Sequence, residues 1–225
     1  MQTPKAILFD LDGTLADTAP DLAAAINVMR RNRDLPPAPY EDLRPYASAG
    51  ARGLIGAGFN VTPEDPAYET MRVEFLNQYA SAIADQSTLF DDIPHLLSGL
   101  DALQLPWGIV TNKAMRFTDA LVPLLDLKQS RCIVSGDTTP HAKPHPAPLF
   151  EAAKQLAIAA EHCWYVGDDL RDIQAAKAAG MHSIAAAWGY CGATEPMHWG
   201  ADLVLHSPLE LLEIVRSKHF TSRSY

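Results

Sequence analysis

The feature that most constrains this chain is a four-residue apolar run, Ala6-Ile7-Leu8-Phe9, that stops abruptly in Asp10-Leu11-Asp12-Gly13-Thr14. An uninterrupted apolar stretch this short suits a strand buried on both faces, as in a parallel sheet covered by helices. In such sheets the ligand crevice lies just beyond the carboxyl ends of the strands, so Asp10 and Asp12 stand at its mouth and Gly13 permits a sharp turn there. A calcium loop is a competing use of an Asp-x-Asp pair. Counted from Asp10, however, the places where an EF-hand loop needs an Asp or Asn, a Gly and a Glu hold Thr14, Leu15 and Asp21.

From Ile93 onward, helical and strand-like segments alternate, the pattern of βαβ units. Expected strands are 107–110, 132–134, 163–166, 183–186 and a short one near 202–205. Expected helices are 92–104, 114–125, 146–157, 169–179 and 208–216, with a frayed tail from Ser217. The stretch between the first strand and residue 88 has helical periodicity instead. Thr18-Ala19-Pro20-Asp21 reads as a helix start with a capping hydroxyl, and a long helix is expected over 64–85, with Tyr68, Met71, Phe75, Leu76, Tyr79 and Ile83 at helical spacing. The expected organisation is an α/β core of residues 1–16 and 89–225, interrupted by a helical insertion at 17–88 whose two connections are hinges.

Composition narrows the function. Lys and Arg total 18 against 27 Asp and Glu, a formal charge of −9, which disfavours nucleic acid and anionic membrane as partners. No stretch approaches the length of a membrane span, and the amino terminus is too short and polar for a signal peptide. Cys132, Cys163 and Cys191 are odd in number and far apart, which points to free thiols and a reducing cytoplasm rather than disulfides or zinc. His95, His141 and His145 lack ligand spacing and read as surface residues.

Three further strand ends carry polar clusters: Thr111-Asn112-Lys113, Lys143-Pro144, and Gly167-Asp168-Asp169-x-x-Asp172. Singly, each could be a helix cap or a solvated loop. Together with Asp10-Leu11-Asp12-Gly13-Thr14, in this order and spacing, they resemble the four motifs of the haloacid dehalogenase superfamily of aspartate-nucleophile phosphatases. That resemblance spans the chain and implies a Rossmann-like parallel sheet with an inserted α-helical cap. Asp17 to Ile26 is similar to the phosphoglycolate phosphatase branch. Ser48-Ala49-Gly50-Ala51-Arg52, Trp107 to Lys113 and Gly167 to Ile173 are similar to the N-acetylmuramic acid 6-phosphate phosphatases.

The resemblance implies a Mg2+ ion held by the Asp10 and Asp168 carboxylates and the Asp12 main-chain carbonyl, with Asp172, or else Asp169, supporting it. Such an ion is needed, because a phosphate dianion and a carboxylate 4 Å apart repel by roughly 8 kcal/mol at an effective dielectric near 20. Asp10 is then the nucleophile and Asp12, protonated at the start, the acid and base. Thr111, Asn112 and the segment Gly13-Thr14 grip phosphate oxygens, while Lys143 neutralises developing charge, its backbone aimed by Pro144. Arg52, the one cation in the loop from Ser48 to Gly53, is either a solvated residue or the partner of a substrate carboxylate. The expected activity is hydrolysis of a small phosphorylated metabolite by a monomer or homodimer. A phosphomutase, a receiver-like domain and a non-enzymatic phospholigand binder are the alternatives.

Overall fold

The computed structural model describes residues 2–192 and 194–222, with side chains through residue 219. In chain order, β1 (Ala6–Phe9) and the short β2 (Ala16–Asp17) precede a helical block. That block comprises α1 (Ala19–Arg31), the single turn α2 (Tyr40–Leu43), a 3-10 segment at Arg44–Ala49, α3 (Gly50–Phe59) and α4 (Tyr68–Ser81). After β3 (Thr88–Leu89) come α5 (Ile93–Ala102), β4 (Trp107–Val110), α6 (Met115–Leu124), β5 (Ile133–Val134) and α7 (Ala147–Leu156). The chain closes with β6 (Cys163–Gly167), α8 (Leu170–Ala178), β7 (His182–Ala186), β8 (Leu203–Leu205) and α9 (Pro208–Ser222).

The main sheet has six strands in the order β5-β4-β1-β6-β7-β8, every pair parallel. This is the Rossmann-type α/β arrangement expected, and it explains why β1 is apolar throughout. Ile7 and Phe9 pack into a core built with Leu96, Leu121 and Leu211 from α5, α6 and α9. Ala6 and Leu8 point the other way, into a core with Leu149 of α7 and Ala175 and Ala176 of α8. With both faces covered, neither alternate set of side chains meets water. The chain builds leftward from β1 to β4 and β5, then crosses back to β6 on its other side, so the strand order reverses beside β1. That reversal opens a crevice at the strand ends where Asp10 and Asp168 sit.

The helical block has a core of its own, in which Ile26, Met29, Leu54, Ile55, Met71 and Phe75 pack together. Its two connections are tied to each other: β2 and β3 pair antiparallel, Ala16 opposite Leu89 and Asp17 opposite Thr88. Asp21, buried in the first turn of α1, accepts hydrogen bonds from the Gln86 and Ser87 amides and from the Ser87 hydroxyl at 2.6 Å.

Three elements differ from expectation. α4 covers Tyr68–Ser81 rather than 64–85. At its start, Asp65 turns its carboxylate onto the Ala67 amide in a separate turn, and past Ser81 the chain leaves helical geometry before Asp21 captures residues 86 and 87. Thr18 precedes α1 but its hydroxyl does not cap it; that hydroxyl donates to Asp12 instead. The expected frayed tail is helical as far as Ser222, and residues 223–225 lie outside the described residues.

Candidate active site

The site is assembled where β1, β4 and β6 end. Immediately past β1, the Asp10 amide donates to Val166 of β6, and Asp10 Oδ1 accepts from the Leu11 amide at 2.7 Å. The chain then reverses at Gly13, whose φ of +82° admits glycine most readily. A Cβ there would stand 2.1 Å from Asp168 Oδ2, so any side chain would displace that carboxylate.

Lys143 lies at the bottom of the site, 4% exposed. Its Nζ is 3.0 Å from Asp10 Oδ1, 2.7 Å from Asp172 Oδ1, 2.8 Å from the Tyr165 hydroxyl and 3.0 Å from the Val110 carbonyl. Burial alone would make this ammonium easier to deprotonate; Asp10 and Asp172 overcome that and raise its pKa. Its main chain is fixed by the Asn112 side chain, whose amide both donates to the Lys143 carbonyl and accepts from the Lys143 N–H at 2.9 Å.

Asp10, Asp168 and Asp172 can each offer an oxygen with all three atoms within 4.8 Å of one another. Three buried carboxylates beside one ammonium cannot all carry charge comfortably. Burial pushes Asp10 up to about 7, against the pull of Lys143, with Asp172 and Asp12 adding to the rise. Burial likewise lifts Asp168 well above the carboxylate range, with the Asp10 and Asp172 charges next. A hard divalent cation suits an all-oxygen donor set of this kind and would supply the missing positive charge.

Asp12 faces a different set of groups. Its Oδ1 accepts from Lys113 Nζ at 2.9 Å and from the Thr18 hydroxyl at 2.5 Å. The Lys113 side chain is only 7% exposed. Its pKa rises despite burial because Asp12 and Tyr79 flank it, and its Nζ lies 4.6 Å from the centre of the Tyr79 ring.

Between the strand ends and the helical block lies a cavity of about 680 Å³, with Asp10, Asp12 and Thr111 on its wall. Thr111 is 2% exposed, and its hydroxyl accepts from the Lys113 amide. The other expected phosphate contacts are placed differently. The Asn112 side chain, though on the cavity wall, is committed to Lys143. Thr14 is fully buried and its hydroxyl donates to Asp168 Oδ1 at 3.1 Å, so Gly13 and Thr14 shape the seat of Asp168 rather than line the cavity. Asp172 is locked to Lys143 and to the Asp169 amide, while Asp169 caps α8 and pairs with Arg171. Arg52 sits on the exposed side of α3, near Glu64, and is not part of the cavity wall; the wall's cations are Arg72, Lys113, Arg116 and Arg171.

Two contributors were not among the expected site residues. Ser48, in the helical block, donates to Asp168 Oδ2 at 2.9 Å, and its carbonyl accepts from Arg171. Tyr190 donates its amide to the same Asp168 oxygen, while its hydroxyl accepts from the Thr18 and Ala19 amides and lies 2.9 Å from Asp17. Ser48 opens a segment that the family resemblance had marked, and Lys113 adjoins Thr111-Asn112 at a strand end; Tyr190 carries no sequence signal.

An acid-bearing strand end, a buried lysine and clustered acids suit a hydrolase, and the chain belongs to the haloacid dehalogenase-like hydrolase family, whose model matches residues 7–186. Among curated relatives, it is 44% identical over 216 residues to a phosphoglycolate phosphatase of Xanthomonas campestris, covering 95% of this chain and 97% of that one. It is 40% identical over 213 residues to the N-acetylmuramic acid 6-phosphate phosphatase of Pseudomonas aeruginosa, covering 94% of each. A crystal structure of a predicted phosphoglycolate phosphatase from Haemophilus somnus superimposes with a TM-score of 0.84 at 25% identity, covering 95% of this chain and 99% of that one. The protein is therefore a phosphatase by family. Among the described residues, no helix is long and apolar enough to cross a membrane.

Proposed function

We propose that the chain is a Mg2+-dependent phosphomonoesterase of the reducing cytoplasm, working through an aspartyl phosphate, and that its substrate is N-acetylmuramic acid 6-phosphate rather than 2-phosphoglycolate. The observation that carries the substrate choice is the cavity. At about 680 Å³ it has the size of sites that enclose a drug-sized ligand, several times what a two-carbon phosphate ester fills. Its wall also joins apolar side chains, Phe75, Leu76 and Phe117, to cations, Arg72 and Arg116, which suits a sugar bearing acyl and carboxylate groups.

The helical block acts as a cap over the site. Asp10 and Asp168 carboxylates, with the Asp12 carbonyl, would hold Mg2+, which when bound offsets the repulsion between Asp10 and the phosphate dianion. Both contacts of Asp10 fall on Oδ1, from Leu11 and Lys143, which leaves Oδ2 to attack phosphorus. As the P–Oδ2 bond forms, the ester P–O bond breaks, and Asp12 gives its proton to the departing alkoxide. Asp12 Oδ1 is occupied by Lys113 and Thr18, which leaves Oδ2 as the oxygen through which a proton can pass to the leaving group. In the second half, Asp12 takes a proton from water, the water oxygen bonds to phosphorus, and the P–Oδ2 bond to Asp10 breaks. Lys143 holds Asp10 in place and balances charge gathering on the transferred group. Thr111 lies on the wall where a phosphate oxygen can reach its hydroxyl.

The test is phosphate release from the two esters, side by side with Mg2+. The expected kcat/KM for N-acetylmuramic acid 6-phosphate exceeds that for 2-phosphoglycolate by at least about tenfold, a difference of about 1.4 kcal/mol in transition-state binding. The reverse preference overturns the substrate, and transfer of the phosphoryl group to another sugar hydroxyl without free phosphate overturns hydrolysis.

A further inference from the structure

The Tyr79 hydroxyl is a buried polar atom without a hydrogen-bond partner, on a side chain that is 2% exposed and lies on the cavity wall. Its neighbours explain why it is unclaimed. The Phe75 ring lies parallel to it with centroids 6.5 Å apart, and the Phe117 ring is tilted against it at 5.4 Å. Neither ring offers an oxygen. Lys113 lies over the phenol, but an ammonium only donates, so it can serve the phenol oxygen and never the phenol proton. A buried donor left unpaired is costly, and proteins retain few of them. This one stands a single ammonium away from Asp12, the side chain assigned above to protonate the departing alcohol.

We infer that Tyr79 is a specificity-determining residue whose O–H donates to an uncharged oxygen of a pyranose, a ring oxygen or hydroxyl close to the phosphorylated carbon. Phe75 and Phe117 supply the apolar surface against which the C–H face of such a ring packs. The inference rests on the sugar phosphate reading above and adds the contact that selects it. A site built to donate a hydrogen bond loses affinity for substrates that cannot accept it, because its donor then stays unpaired in the closed cavity.

Tyr79→Phe removes the proton and keeps the ring. On N-acetylmuramic acid 6-phosphate and on glucose 6-phosphate, kcat/KM is expected to fall about tenfold, against a fall of less than about threefold on p-nitrophenyl phosphate, which has no acceptor there. The melting temperature of the free enzyme should change by no more than about 2 °C, since the only internal contact the variant gives up is that of the Lys113 ammonium with the phenol oxygen. A lowered melting temperature with equal losses on every substrate would show an internal structural role and overturn the proposal, as would undiminished turnover of the sugar phosphates by the variant. A wild-type enzyme inactive on both sugar phosphates but active on 2-phosphoglycolate overturns the substrate reading itself, and the sugar oxygen with it.

Discussion

The floor and the roof of the cavity are built on opposite terms. On the floor, Lys143 gathers Asp10, Asp172 and Tyr165, and Thr14 holds Asp168, through short, buried bonds. On the roof, α4 presents an unclaimed phenol proton, and the Arg72 guanidinium pairs with Glu69 in a partly exposed contact of the kind that contributes little. Saturated contacts fix geometry, which is what bond-making atoms need. Unsaturated ones await a ligand. On the proposed reading, chemistry falls to the floor and selection to the roof, and Ser48 of the roof donates to Asp168 of the floor.

The sharpest break comes from the floor. Asp10→Asn is expected to lower kcat by about a thousandfold or more while folding normally, because the amide lacks the nucleophilic charge. At pH 8 without metal its melting temperature should exceed that of the wild type, since a neutral group relieves the crowding of buried carboxylates. Retention of a tenth of the activity in a steady-state assay would rule out the covalent route.

Metal dependence comes next. EDTA should abolish turnover, and the pH dependence of stability has a definite sign. Asp10 is lifted from 3.8 to about 7 in the folded protein, so the folded state holds its proton more tightly than the unfolded chain does. Metal-free stability therefore falls as pH rises between about 4 and 7. A cation competing with that proton binds better as pH rises, so the gain in melting temperature on adding Mg2+ should be larger at pH 8 than at pH 5. Scanning calorimetry showing an equal gain at both pH values would argue that Asp10 does not hold the metal.

The smallest effect is expected at Arg52. From its exposed position on α3, Arg52→Ala should change kcat/KM less than about twofold on either candidate substrate, within the range of ordinary surface changes. A tenfold loss confined to the carboxylate-bearing esters would mean that the roof rearranges enough on closing to bring this side chain inside.

Much of the floor was legible because it is written locally. An apolar run that ends in polar residues marks both a buried strand and its chemistry: β1 and β6 run into acids, β4 into Thr111-Asn112-Lys113. What escaped is non-local or ambiguous in type. Thr14 belongs to a segment expected to grip phosphate and Thr18 looks like a capping hydroxyl, yet both serve aspartates of the site. Tyr165 reads as strand packing until the fold brings Lys143 to its hydroxyl. Asn112 resembles a phosphate ligand, and only the fold shows its amide closed on the backbone of Lys143, 31 positions away. The carboxyl-terminal bound of α4 moved where Asp21, more than sixty positions upstream, holds the segment that follows it.

Tyr190 ties two of these parts together. Its amide holds an oxygen of Asp168 while its hydroxyl, at the other end of the same residue, takes the first amides of α1 beside the β2–β3 pair. One residue thus spans the joint between the helical block and the sheet: a shift of α1 relative to the strand ends would have to stretch the contacts of the Tyr190 hydroxyl or turn its side chain, next to the amide that holds Asp168.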